Sequence, residues 1–247
     1  MIWENLQWGL YLITLILAGT TALLGLFVLN KLFQNKLKDL FSNVSFFVFF
    51  LLIFGYSCFA LGEVTWFLIF DVFKQMPSAS MPDVYWVVGS VFQLLAYVSF
   101  SAYMFKHHGQ LRHAVALLIF GGVVLAGVLG FIFGLNLVGA ERTVGSAFLG
   151  YFYPLMTGLI LIASLSVYLF IEKIGMFQTN FLFLFLANFA FLAGDLLYTY
   201  VTATGGYGVL GATSELLYIA AYLLCSLSFF ILLMKTRNYS SAGPLKN

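Results

Sequence analysis

Gly62-Glu63-Val64-Thr65-Trp66, continuing to Pro82-Asp83-Val84-Tyr85-Trp86, is answered further along by Gly194-Asp195-Leu196-Leu197-Tyr198 and Ser214-Glu215-Leu216-Leu217-Tyr218. The spacing is 132 residues throughout: Glu63 with Asp195, Trp66 with Tyr198, Asp83 with Glu215, Trp86 with Tyr218. Glu63 and Asp195 sit inside long apolar runs. A carboxylate deep in a bilayer costs about 2.5–3.5 kcal/mol on insertion scales, so these acids are expected to face the bundle or a water-filled vestibule rather than lipid.

The runs around them decide the fold class. Of 247 residues, 62% are hydrophobic and 8% charged, whereas soluble domains carry about 25% charged residues. Mean hydropathy is +1.02. A spanning helix needs about 20 mainly apolar residues, and the chain offers seven such runs: 8–29, 44–70, 84–105, 113–137, 146–171, 180–201 and 215–234. The expected fold is an all-α polytopic membrane protein of seven transmembrane helices, one domain over 1–247. Within it, 1–106 holds the first three helices, 113–137 a connector helix, 146–235 the last three helices and 236–247 a short tail. The offset maps helix 2 on helix 6 and helix 3 on helix 7, a possible three-plus-one-plus-three parallel repeat.

Lysine and arginine set the expected orientation. Nine of them (Lys31, Lys36, Lys38, Lys106, Arg112, Lys173, Lys235, Arg237 and Lys246) fall on one side, and only Lys74 and Arg142 on the other. This places the N-terminus outside and the C-terminus in the cytoplasm, in the cell membrane, with no cleaved leader expected. The net charge of +2 gives no reason to expect nucleic acid. Lipid is the expected surrounding partner.

The candidate ligand-binding residues share faces. Trp66 lies three residues after Glu63, and Tyr198 three after Asp195. On helix 3, Trp86, Gln93 and Tyr97 recur at spacings of seven and four; on helix 6, Asn188 precedes Asp195 by seven. Asp83, Glu215 and Tyr218 complete an outward-opening, acidic, aromatic-walled pocket suited to a small cationic or polar ligand. The opposing reading is that the acids only cap helix ends and lock the bundle. Cys58 and Cys225 read as free packing thiols, since no CxxC exists. His107, His108 and His113 read as a basic interface cluster rather than a metal site. No cofactor and no enzymatic activity is expected, since P-loop, G-x-S-x-G and H-E-x-x-H patterns are absent. Ala193-Gly194-Asp195 looks like part of the G-x-G-D motif of intramembrane aspartyl proteases, but Leu192 stands where the first glycine belongs. Gly130-Phe-Ile-Phe-Gly134 in helix 4 reads as a small-residue face for close helix packing.

The run Pro77-Ser-Ala-Ser-Met-Pro82-Asp83-Val-Tyr85-Trp86-Val-Val-Gly89 resembles multi-helix membrane sensor regions that precede bacterial and archaeal histidine kinases and diguanylate cyclases. Gly194 to Tyr198, with the glycine-rich stretch to Glu215 and Tyr218, looks like a second copy. The resemblance implies a sensor or scaffold module whose outer pocket biases helix packing, here without an output domain, and so either a module standing alone or one coupled to a membrane or cytoplasmic protein partner. Two alternatives stand beside it: a small-solute or proton-coupled transporter, and an accessory subunit of a larger membrane complex. The sugar transporters called SWEETs share the three-one-three plan, but their Pro-Gln signature is missing. Microbial rhodopsins need a lysine in mid-helix 7, and the first here is Lys235.

The charge bias makes a testable statement. Green fluorescent protein fused to the C-terminus should fluoresce and alkaline phosphatase fused there should be inactive. The reverse pair of results would invert the orientation.

Overall fold

A computed structural model describes residues 2–33, 40, 43–74, 80–108, 111–136, 144–171, 177–205 and 208–241. Nearly all of them lie in seven helices: α1 (Ile2–Phe33), α2 (Val44–Trp66), α3 (Met81–His108), α4 (Leu111–Asn136), α5 (Val144–Ile171), α6 (Gln178–Thr204) and α7 (Gly208–Ser241). α2 continues into a π-helical turn, Phe67–Val72. No strand occurs among the described residues. All seven helices are long and apolar enough to cross a bilayer, where only a helix or a closed barrel can satisfy every backbone polar group. The chain thus has the architecture of a multi-pass membrane protein. Lys36, Lys38, Pro77, Glu141, Arg142, Lys173 and Lys246, used above for orientation or resemblance, lie outside the described residues.

Local chemistry sets several helix ends. The Asn43 side chain accepts from Phe46 N at 3.1 Å and starts α2. Asp83 accepts from Ser80 N at 2.8 Å and from Ser80 Oγ at 3.2 Å, the reach-back half of a capping box at the start of α3. α6 stops at Gly205, whose φ of +71° is left-handed and whose N–H donates to Val201 O; glycine adopts that conformation at no steric cost. The helices outrun the expected bounds most at α7, which begins at Gly208 rather than Glu215. The expected bounds followed apolar content, whereas helical hydrogen bonding continues through Ala212, Thr213 and Ser214. Glu215 therefore lies seven residues, about 10 Å, into its helix.

Six helices close a ring in which α1 adjoins α2, α2 adjoins α3, α3 adjoins α5, α5 adjoins α6, α6 adjoins α7, and α7 returns to α1. α4 stands outside it, mainly against α5. The neighbour relations are the same in both halves, α1–α2–α3 repeating as α5–α6–α7. Equivalent side chains occupy equivalent places. A Cβ on Gly62 would collide with the indole of Trp86, and a Cβ on Gly194 would come within 2.9 Å of the Tyr218 ring. The α2–α3 crossing closes over Gly55 and Gly89, where a Cβ at Gly55 would sit 2.9 Å from Gly89 O. The residues 132 further on are Ala187 and Ala221, both fully buried. Small residues at such crossings let backbones approach where no hydrophobic effect drives helices together. Phe59 and Phe191, themselves counterparts, meet edge to face with centroids 5.9 Å apart, across the ring from α2 to α6.

The half of the bundle toward the α2 N-terminus and the α7 C-terminus is solid. Leu52, Tyr56, Tyr97, Met104, Phe181, Phe229 and Leu232 are fully buried there. Polar ties cross it. Thr21 Oγ1 and Ser226 Oγ are 2.8 Å apart; Asn180 Nδ2 donates to Ser228 O and Ser228 Oγ donates to Asn180 O; the hydroxyls of Ser101 and Ser166 hydrogen-bond to each other. Cys58 and Cys225 are free and buried, and Cys225 Sγ donates to Tyr56 Oη at 3.2 Å. The glycine face of α4 is little used among the described residues: Gly121 faces Ile162, but a Cβ on Gly122, Gly127, Gly130 or Gly134 would meet none of them within 4 Å. Its expected packing role has no counterpart there, because α4 turns most of its circumference outward.

Overpacking a close crossing costs about 1–3 kcal/mol. Gly62→Leu and Gly194→Leu should each lower the thermal unfolding temperature of purified protein by several degrees, and Gly127→Leu should leave it within error. Equal effects at all three sites would contradict the assigned crossings.

Candidate functional site

Where the solid half ends, the ring opens into a cavity of about 110 Å³. This is room for several waters or a small organic molecule. Nine of the ten residues singled out from sequence line it: Glu63, Trp66, Trp86, Gln93, Asn188, Asp195, Tyr198, Glu215 and Tyr218. The tenth, Asp83, does not. Its carboxylate serves the start of α3 through Ser80 and accepts from Tyr153 Oη at 2.8 Å. For this acid the cap reading holds, because it sits in the first turn of α3 and its oxygens are already engaged. It reaches the cavity only through Tyr153, which lines it.

The two acids in apolar runs are held alike. Glu63 accepts from Tyr222 Oη at 2.9 Å. Asp195 accepts from Tyr218 Oη at 2.9 Å and from Thr157 Oγ1 at 2.5 Å. These neutral donors come from α7 and α5, so each carboxylate is fixed across a helix interface. Hydrogen bonds to an ionised acceptor are the stronger kind. Glu215 is 8% exposed and has no hydrogen-bond partner among the described residues. Among the described residues, no lysine, arginine or histidine lines the cavity. The three carboxylates therefore form a patch without a countercharge among the described residues.

Aromatic rings wall the space. Trp66 and Trp86 lie 5.5 Å apart at 45°, and Trp86 meets Tyr153 edge to face at 6.3 Å. Trp66 also stacks on Phe70, one turn on, at 3.6 Å, where α2 widens into its π turn and Phe73 N reaches back to Leu68 O at 2.9 Å. Single π turns of this kind recur at functional sites. Phe191 joins the wall against Tyr222 at 5.0 Å and 87°. The Trp86 indole N–H lies beside the Glu63 carboxylate, just outside strict hydrogen-bond geometry. At the inner end, Gln93 and Asn188 are each 1% exposed; the Gln93 side-chain nitrogen has no hydrogen-bond partner among the described residues, and Asn188 lies beside the Tyr97 hydroxyl.

Sequence reasoning missed the contributions of α1 and α5. Tyr11, Thr14, Tyr153 and Thr157 all line the cavity, but the 132-residue offset does not align these helices, and tyrosine or threonine in a spanning run is no signal by itself. Thr14 and Thr157, buried at 2% and 8%, enter from corresponding members of the two halves. Tyr222 was legible in principle, as the residue one helical turn after Tyr218 on the same face.

Interhelical hydrogen bonds in membrane proteins contribute about 0.6 kcal/mol on average and up to about 1.7. Tyr222→Phe and Tyr218→Phe, each stripping a donor from a buried carboxylate, should fall at the upper end and lower thermal stability measurably. Tyr200→Phe, at an exposed position, should be silent. A silent Tyr222→Phe would mean that the Glu63 bond carries no energy. Comparisons of the chain with protein-family models, curated proteins and solved structures found no match.

Proposed function

We propose that the protein is a ligand-sensing module of the cell membrane, in which a small organic cation enters the acidic cavity and biases the packing of the ring helices. The observation that carries this reading is the convergence of Glu63, Asp195 and Glu215 on one aromatic-walled cavity with no basic residue among the described ones. Ammonium groups are drawn to such sites by charge and by the negative faces of tryptophan and tyrosine rings. The solid half below the cavity favours sensing over transport: a ligand held there meets Tyr56, Tyr97 and Phe229 rather than a polar path onward. Ligand-dependent shifts at α6 and α7 would reach the far end through the Asn180–Ser228 and Thr21–Ser226 ties, where a partner protein could read them. The likeness of the Pro77 to Gly89 run to membrane sensor regions points the same way.

Transport is the second reading, supported by the matching neighbour relations of the two halves, an arrangement common among transporters with a central site. It differs in one outcome, accumulation of labelled amine in proteoliposomes, which the sensing reading predicts to be absent.

The test of the shared claim is thermal unfolding with a panel of small amines. A ligand at 100 times its Kd stabilises by about 2.7 kcal/mol, a rise of several degrees. Wild-type protein should show it, and the Glu63→Gln, Asp195→Asn double variant should not. Equal shifts in both proteins would refute the cavity as the binding site.

A further inference from the structure

The 132-residue correspondence continues below the acids. Tyr56 answers Asn188, and Gln93 answers Cys225. These four polar side chains come from α2, α6, α3 and α7, and none is more than 1% exposed. Three of them find company inside the protein. Cys225 Sγ donates to Tyr56 Oη at 3.2 Å, and Asn188 lies beside the Tyr97 hydroxyl, which in turn lies beside that of Tyr56. Gln93 is the exception. It lines the cavity, and its side-chain nitrogen has no hydrogen-bond partner among the described residues. Buried polar atoms are nearly always hydrogen-bonded, and a donor the protein leaves unpaired takes an ordered water or a ligand's acceptor. The stem of Gln93 is also fixed. A Cβ on Gly55 would come within 2.8 Å of its Cγ, so the side chain lies against the α2 backbone where α2 and α3 cross most closely.

The route from this amide to the nearest acid on α2 is short and apolar. Gly55, Phe59 and Glu63 follow one another at one-turn spacing on a single face of α2, and both Phe59 and Glu63 line the cavity. The order going inward is carboxylate, ring, amide. Eight residues separate Gly55 from Glu63, about 12 Å along the axis. The functional groups stand nearer than that. α2 and α3 run antiparallel, since Gly55 meets Gln93 and Gly62 meets Trp86. Side chains tilt toward the N-terminus of their own helix, so Glu63 leans inward and Gln93 outward.

We propose, resting on the cationic-ligand reading above, that the occupant is a short-chain amine bearing a neutral carbonyl, which accepts from the Gln93 amide while the ammonium stands at Glu63 and the intervening methylenes pass Phe59. The acceptor is neutral because Glu63, Asp195 and Glu215 line the same cavity and repel an anion. A plain alkylamine fills the space but leaves the Gln93 donor unpaired. A site that hydrogen-bonds its ligand in this way discriminates strongly against an analogue lacking the bonded atom.

The experiment is a binding series on the full-length protein in lipid nanodiscs, read by isothermal titration. The probes are N-acetyl diamines with two, three and four methylenes, each paired with the alkylamine of the same shape: 4-methylpentylamine, 5-methylhexylamine and 6-methylheptylamine. The zwitterion 5-aminopentanoate completes the set. The best acetamide should bind at least about tenfold tighter than its alkyl partner. Gln93→Met, which keeps the length of the side chain and removes the donor, should bring that ratio to about threefold or less while alkylamine binding is retained. Gln93→Glu should abolish the preference as well, which keeps the test open if one variant fails to fold. A side chain that only packs would leave the ratio unchanged in both variants. Equal affinity for acetamide and alkylamine in wild-type protein overturns the inference, assigns Gln93 to an ordered water and leaves the cationic cavity standing. A preference that survives in the variants overturns it too, as does 5-aminopentanoate binding more tightly than the best acetamide. No binding by any amine overturns both readings.

Discussion

Ionised oxygen in an apolar bundle must be compensated, and that constraint organises this molecule. Asp195 would cost about 2.5–3.5 kcal/mol if it faced hydrocarbon at mid-bilayer. Instead, Tyr218 and Thr157 donate to it, and Tyr222 donates to Glu63. Donors and acceptors belong to different helices, so satisfying the acids also sets how α2, α5, α6 and α7 face one another. Neutral hydroxyls orient a carboxylate without cancelling its charge. Glu215 lacks even those donors. A protein built only for rigidity would place a lysine or arginine opposite, and among the described residues none lines the cavity.

The two halves distribute this task evenly. Gly62 makes room for Trp86 as Gly194 makes room for Tyr218, and each glycine immediately precedes the acid its aromatic neighbour overlies. The glycine is needed because an aromatic ring reaching the carboxylate must lie on the helix backbone. Differences between the halves are then differences in chemistry. Tyr218 hydrogen-bonds Asp195 directly, whereas the Trp86 N–H only approaches Glu63 and Tyr222 donates to Glu63 from across the ring.

Much of this was legible in the residues. Seven spanning runs follow from apolar length alone, and lining positions follow from spacing: Trp66 and Tyr198 share faces with their acids, as do Gln93 with Trp86 and Asn188 with Asp195. The rest was hidden for physical reasons. Glu215 looked superficial because apolar content fades before it, while helical hydrogen bonding does not; its helix starts at Gly208. Asp83 matched its counterpart in sequence but sits in a first turn, where a carboxylate is more useful to backbone N–H groups than to a cavity. Thr157 and Tyr153 gave no signal, since a hydroxyl in a spanning helix commonly bonds back within its own helix, as Thr157 also does to Tyr153 O. The glycines of α4 suggested tight packing, but which face of a helix meets a neighbour is a tertiary fact.

The central claim is that three carboxylates open onto one shared, water-reachable cavity, and cysteine accessibility tests it most directly. In a background with Cys58 and Cys225 replaced, cysteine at positions 63, 195 or 215 should react with a water-soluble cationic thiosulfonate added to intact membranes. Cysteine at the outward-facing apolar positions Leu61, Val64 and Leu216 should not. Reaction at 63, 195 and 215, with mutual protection once one of them carries the bulky adduct, is the predicted result. Unreactive cysteines at those three positions, or labelling no faster than at Leu61 and Val64, would contradict it.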